Sequence, residues 1–429
     1  MKMMTKLKRY TCSALVAVAG TAATLSTNAS DGLVVHEWGT FTSVQGGDGN
    51  LLLWQANITG DLPDFVYNWM KPDLNRQATL DLLFGKGGLS TLQRMETPVI
   101  YFYSDKDITA DVTVRFPKGK VTEWYPQAGL IGPANVQNTN LTTTHVAKDS
   151  VVRWPDVRVL SKKSSTAVSD KMPRDKNGTH YFAARETEAA LLRVNNQSSP
   201  KPADEYEKFL FYRGSGNFGT PLKVTTDDAG LVSVENTGKI ALRHLFLMNV
   251  HNGMAEWARM ETLKPGVRQS WEQFDSIKEN RSVPLAEFKR NAGSAMVDAL
   301  TDSGLYRAEA KAMVNTWTKA WFGEEGVRVL YVLPRNWTDE TLPMDLKPKP
   351  HELVRVMVGR SEIIPPQTQK VVAQQLKRFD KGDVEAKKWI QDYQTRFGRF
   401  APPAFQLARK LNAPSEQPEN KAVATASTP

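Results

Sequence analysis

The chain has 429 residues, a net charge of +9 and a single cysteine. Four of its positive charges, Lys2, Lys6, Lys8 and Arg9, precede the first acid at Asp31; without residues 1–29, 51 Lys and Arg stand against 46 Asp and Glu, a net of +5. The later charges are interspersed with no basic block, which argues against a nucleic-acid partner, and with Cys12 as the only thiol, residues 30–429 can hold no disulfide, thiolate nucleophile or thiolate metal site.

Behind the basic start, Cys12 to Leu25 is apolar and small, and Thr27-Asn28-Ala29 supplies the small residues a signal peptidase reads. The run is too short to span a membrane comfortably, so residues 1–29 read as a secretory signal peptide. No later apolar run reaches the ~18–20 residues of a membrane helix. The expectation is an exported chain, periplasmic or secreted, with no transmembrane anchor once the leader is removed. Without crosslinks it must be stabilised by core burial, for which about 400 residues are ample.

Residues 30–155 read as a β-rich module. Leu33 to Thr42 is a strand, the Gly46-Gly47-Asp48-Gly49 run breaks it, and a short helix is expected around Gln77 to Leu83. Pro98 to Tyr103 is a continuous apolar run, suited to a strand covered on both faces. Val112, Val114 and Phe116 alternate with polar residues, and Val121 to Tyr125 returns after a turn. Residues 156–204 are a polar, loop-rich connection, with Tyr181 to Val194 ambiguous between strand and helix. A second β-module follows over 205–275, with strands at Phe209–Tyr212, Leu222–Val224, Leu231–Val234 and Ala241–Val250; Asn252-Gly253 is its strongest hairpin signal. Over 276–411 the period changes. Leu285, Phe288, Ala292, Met296 and Leu300 form one helical face, and Ala310, Met313, Val314, Trp317 and Trp321 form another. Strands at Val327–Leu333 and Leu353–Val358 and two or three more helices complete the region, and residues 412–429 lack the apolar content to order themselves. The fold class is therefore α+β: β-sandwich-like modules in the N-terminal two thirds, then a mixed, largely helical C-terminal part.

The motifs with chemical meaning mostly fail on context. Gly214-Ser215-Gly216-Asn217-Phe218-Gly219 matches a dinucleotide fingerprint but is followed by Pro221 and a strand, where a helix N-terminus is needed. His36-Glu37 and His351-Glu352 lack a second histidine four residues after the first, and on a strand His36 and Glu37 point to opposite faces. His244 and His251, seven apart on one strand, also face opposite ways; His145 and His180 leave a long-range three-histidine metal site as a weaker alternative. Asp105, Asp107 and Asp111 lack the glycine and glutamate of a calcium loop. No metal or cofactor is expected from any of these patterns. Trp317 and Trp321 belong to the helical core; the N-terminal tryptophans fill a β core or stack on sugar rings.

What remains are charges set in very apolar strands: His36 and Glu37 beside Trp38, Glu96 before Pro98–Tyr103, and Arg213 after Phe209–Tyr212. A buried charge must be paired, since an unpaired one costs several kcal/mol. These four residues are the candidate site. They read as structural Arg–Glu pairs or, as the alternative, as a polar cleft in which Glu37 and Glu96 act as a hydrolytic carboxylate pair on a polysaccharide or peptide.

The stretch His36-Glu37-Trp38-Gly39-Thr40-Phe41-Thr42 resembles a signature of exported, uncharacterised bacterial proteins. Glu96 to Tyr103, Phe211 to Gly214 and Val354 to Arg360 are similar to further blocks of it. The resemblance implies a bacterial envelope setting and carries no activity to transfer. The resulting expectation is an envelope protein that binds or scaffolds, with a carbohydrate or protein partner.

Overall fold

The computed structural model describes residues 30–55, 62–68, 90–132, 149–174, 178–196, 203–270 and 282–412. The expected leader, the helix around Gln77–Leu83, His145 and the tail beyond residue 412 lie outside them.

A ten-stranded sheet organises the chain. Its principal strands are β1 (Ser30–Gly46), β2 (Gln93–Tyr103), β4 (Gly119–Tyr125), β6 (Leu210–Gly216), β7 (Leu242–His251), β8 (Met254–Leu263), β9 (Gly326–Val332) and β10 (Pro350–Ile364), with β3 (Ile108–Phe116) and β5 (Ser150–Val159) in a second sheet. The order across the large sheet is β8-β7-β9-β10-β1-β2-β6-β4, extended at its edges by Val283–Pro284 and Tyr67–Asn68. The central β1–β10 pair is parallel and its other pairings are antiparallel. The second sheet runs Ala203–Glu207, Leu192–Asn196, β5, β3, Met344–Lys347, and three short strands (Leu222–Thr226, Val232–Asn236, Arg268–Ser270) form a third.

Both faces of the large sheet are covered, so its central strands are buried nearly end to end, as the apolar run in β2 requires. The second sheet packs on one face: Trp154 meets Tyr212, and Phe41, Phe116 and Phe218 meet edge-to-face. Helices cover the other. Helices α1 (Leu285–Asp302) and α2 (Arg307–Phe322) bury the two faces that their periodicity marks, including Phe288, Met296, Met313 and Trp321. Helices α3 (Pro366–Asp380), α4 (Val384–Phe397) and α5 (Ala401–Asn412) build a satellite core with Val44 and Trp54.

The α+β class and the C-terminal position of the long helices are as the sequence indicates. The grouping of strands is not. The segments 30–155 and 205–275 do not form a sheet each: β6 of the second segment joins β2 and β4 of the first, whereas β7 and β8 lie across β9 and β10 from β1. Alternation marks a strand but not its partner. The loop-rich connection holds a short helix at Lys162–Thr166, a 3-10 turn at His180–Arg185 and a strand at Leu192–Asn196. Asn252 (φ 47°) and Gly253 (φ 75°) form the β7–β8 turn in the left-handed region that Asn-Gly tolerates.

Candidate functional site

Glu37 lies on the sandwich side of β1, fully buried. Arg355, its in-register neighbour on β10, donates from Nε to Glu37 Oε2 at 2.6 Å, and Tyr212 Oη donates to Oε1 at 2.5 Å. Arg355 Nη1 donates to Asp339 Oδ1 at 2.8 Å, so a chain of alternating charge runs from the sheet interior to half-exposed Asp339. Arg355 and Asp339 line an open cavity of about 500 Å³ walled by Val332, Leu333 and Pro334. Glu37 is thus the buried anchor of a salt bridge and does not line that cavity.

His36 points the other way, toward the helices, as alternation on a strand requires. Its Nδ1 lies 2.8 Å from Glu309 Oε2, so the carboxylate accepts the Nδ1 proton; Glu309 Oε1 accepts from Tyr103 Oη at 2.7 Å and Oε2 also from the Tyr306 amide at 2.8 Å. The imidazole packs 4.4 Å from the Tyr306 ring, between centroids. Glu309 sits in the first turn of α2, where the helix dipole favours a carboxylate. The group ties β1 and β2 to α2.

Glu96 and Arg213 also lie on the helix face, further along the sheet. Arg399 Nη1 donates to Glu96 Oε1 at 2.8 Å, and the Arg399 guanidinium lies over the Trp54 and Phe400 rings. Burial raises the pKa of Glu96, but Arg399, with Arg94, Arg213 and Arg360, outweighs it and holds the carboxyl down to about 2. Alongside, Glu362 accepts from Arg328 and Arg360, and Arg360 also donates to Glu324. All of these except Arg399 and Glu324 are under 5% exposed. Burial opposes ionisation of Glu362 too, and the two arginines lower its pKa nonetheless.

The structure therefore brings Glu96 and Arg213 together and separates both from Glu37, which faces the opposite sheet; His36 shares their face but is engaged with Glu309. The sequence reading missed Arg355, Glu309, Arg360, Glu362 and Arg94. Arg355 and Arg360 carried the same signal as Glu37, a charge inside an apolar strand, in Val354 to Arg360. Glu309 gave none, because an acid in the first turn of a helix is ordinary. Gly214 and Gly216 lie within β6 and lead to another strand, so no phosphate-binding helix follows them. His244 is buried between Asp302 and Glu261, while His251 is exposed beside Glu256. Among the described residues no group of three or more His, Asp or Glu is placed to hold a metal ion, and no helix is long and apolar enough to cross a membrane.

No protein-family model and no curated sequence matches the chain. Solved structures of the yeast delta-COP-I mu-homology domain, one in complex with a Dsl1 WxWxV peptide, align at 8% and 7% identity over 77% of this chain and 96% of theirs, with a TM-score of 0.26. At that score the likeness carries no argument.

Proposed function

We propose that this chain is an exported envelope protein that works by binding or scaffolding, with Glu37 and Glu96 in structural salt bridges. The observation that carries this reading is their placement on opposite faces of one sheet, each buried and held by an arginine. Hydrolysis by a carboxylate pair needs both groups to flank one bond, about 5–9 Å apart, with one of them protonated to act as acid. Glu96, held to about 2, stays ionised at neutral pH and cannot serve as that acid. The basic, apolar and small-residue pattern of residues 1–29 supports export, and the interspersed charge of the remainder favours a carbohydrate or protein partner over a nucleic acid.

The test has two arms. Cell fractionation with intact-mass measurement is expected to find the protein outside the cytosol and starting near Ser30; a cytosolic protein retaining Met1 overturns the export reading. Incubation with panels of polysaccharides and peptides is expected to release no product. A product that disappears in Glu37→Gln or Glu96→Gln restores the hydrolase.

A further inference from the structure

Strands β7, β9 and β10 open at one end onto a cavity of about 190 Å³. Asn249, Val327 and Ile363 stand in register across that end, and Thr368 of α3 and the last turn of α4 close the space. Along α4, Trp389, Tyr393 and Phe397 fall four residues apart and so share one face. Their rings stack at 5.1 and 4.3 Å between centroids, with 23° and 26° between planes. Tyr393 lies between the other two, and half-buried Phe397 ends the ladder in the cavity wall. Each charged group in the wall has a counter-charge. Arg396 donates from Nε and Nη2 to Glu325 Oε2, Glu362 is held by Arg328 and Arg360, and His251 stands 3.8 Å from Glu256. The neutral polar groups are the reverse: Asn249, Thr368 and Tyr393 line the cavity, and their side chains make no hydrogen bond among the described residues.

We propose that this cavity binds one neutral pyranose unit of a glycan, stacked against Phe397 and hydrogen-bonded by Asn249, Thr368 and Tyr393. The assignment rests on the binding reading above and selects carbohydrate over protein as the partner. Sites for drug-sized ligands begin near ~300 Å³, so this smaller space takes a single ring. The C–H groups on one face of a pyranose carry slight positive charge and suit the negative face of an aromatic ring. Arg396, tethered to Glu325, flanks that ring at 5.6 Å from its centroid. Sugar hydroxyls each donate and accept, which matches an amide, an aliphatic hydroxyl and a phenol that hold no other partner. An aromatic side chain from a protein would fill the same volume but brings at most one polar group, leaving two of the three without the water they lose. An ion would meet a wall whose charges are already matched and would have to part Arg396 from Glu325 to gain a partner.

Saturation-transfer NMR on the purified protein, with the methyl glycosides of glucose, galactose, mannose and N-acetylglucosamine as probes, is expected to detect binding of at least one, and titration of that sugar gives its Kd. Phe397→Leu keeps apolar bulk without the ring, and Asn249→Ala removes the amide. Both variants, folded by circular dichroism, are expected to weaken binding roughly three- to tenfold. No signal from any of these sugars overturns the site, as does an affinity unchanged in both variants. Binding of N-acetyltyrosinamide or N-acetyltryptophanamide without any sugar overturns it in favour of an aromatic side chain on a protein partner. Tighter binding of glucuronate or glucosamine than of the glucose glycoside overturns the neutral ligand. A failed titration leaves the fractionation and hydrolysis results untouched, and a cytosolic protein or a released product leaves this titration untouched, so the two readings fail separately.

Discussion

Glu96 and Glu362 make stability depend on acid. Burial opposes their ionisation and the surrounding guanidiniums more than compensate, so folding lowers both pKa values. A carboxylate with a depressed folded value stabilises the protein fully above its unfolded value, and that contribution disappears as pH falls through the folded one. For Glu96 the window runs from 4.5 down to about 2; at about 1.4 kcal/mol per unit it amounts to roughly 3 kcal/mol. Denaturant titrations at pH 5, 4 and 3 are expected to show stability falling progressively, and Glu96→Gln is expected to flatten the fall while lowering stability at pH 5. A pH-independent midpoint in the wild type contradicts the assignment. Glu37→Gln is expected to cost about 1–3 kcal/mol, since Arg355 loses its buried charged partner and keeps only the half-exposed Asp339, read as a lowered denaturation midpoint at neutral pH.

At the scale of elements, two glycines explain how β1 and β10 lie so closely among their neighbours. A Cβ on Gly359 would fall 2.3 Å from the Tyr331 ring, which crosses β10 from β9. A Cβ on Gly39 would fall 3.0 Å from Pro98 Cα, at the point where the β1–β2 register shifts. The glycine in His36 to Thr42 is therefore a packing requirement between strands. Gly359→Ala is expected to destabilise by about 1–3 kcal/mol through overpacking. Gly219→Ala, where an added Cβ meets nothing within 4 Å, is expected to change stability by less than about 0.5 kcal/mol. Thermal unfolding of the two variants side by side checks the contrast.

For the whole molecule, the decisive feature is that the first and last parts of the chain meet at the centre of the sheet. β10 pairs with β1 along nearly its full length, and β7 and β8 reach the rest of the sheet only through β9 and β10. A fragment ending at residue 284 keeps every strand of the two expected β-modules yet loses the strands that join them. It is expected to lack cooperative unfolding and dispersed amide resonances, while residues 30–412 retain both. A cooperatively folded 30–284 fragment would show that the N-terminal strands close on themselves.

The sequence by itself determined what depends on near neighbours. The period of residues 285–300 and 310–321 marked two buried helices, because side chains three and four apart share a helical face. The apolar run in β2 marked a doubly covered strand, and Asn252-Gly253 marked a turn, because only such residues take positive φ there cheaply. It also marked Glu37, Glu96 and Arg213 as charges that had to be paired, since desolvation makes that demand whatever the fold. Which partner each took was decided by the tertiary structure alone: Arg355 lies 318 positions from Glu37, and Arg399 lies 303 from Glu96. Strand order and the face on which each charge falls arise from long-range register. A period of two records only that a residue points up or down, never what lies beside it.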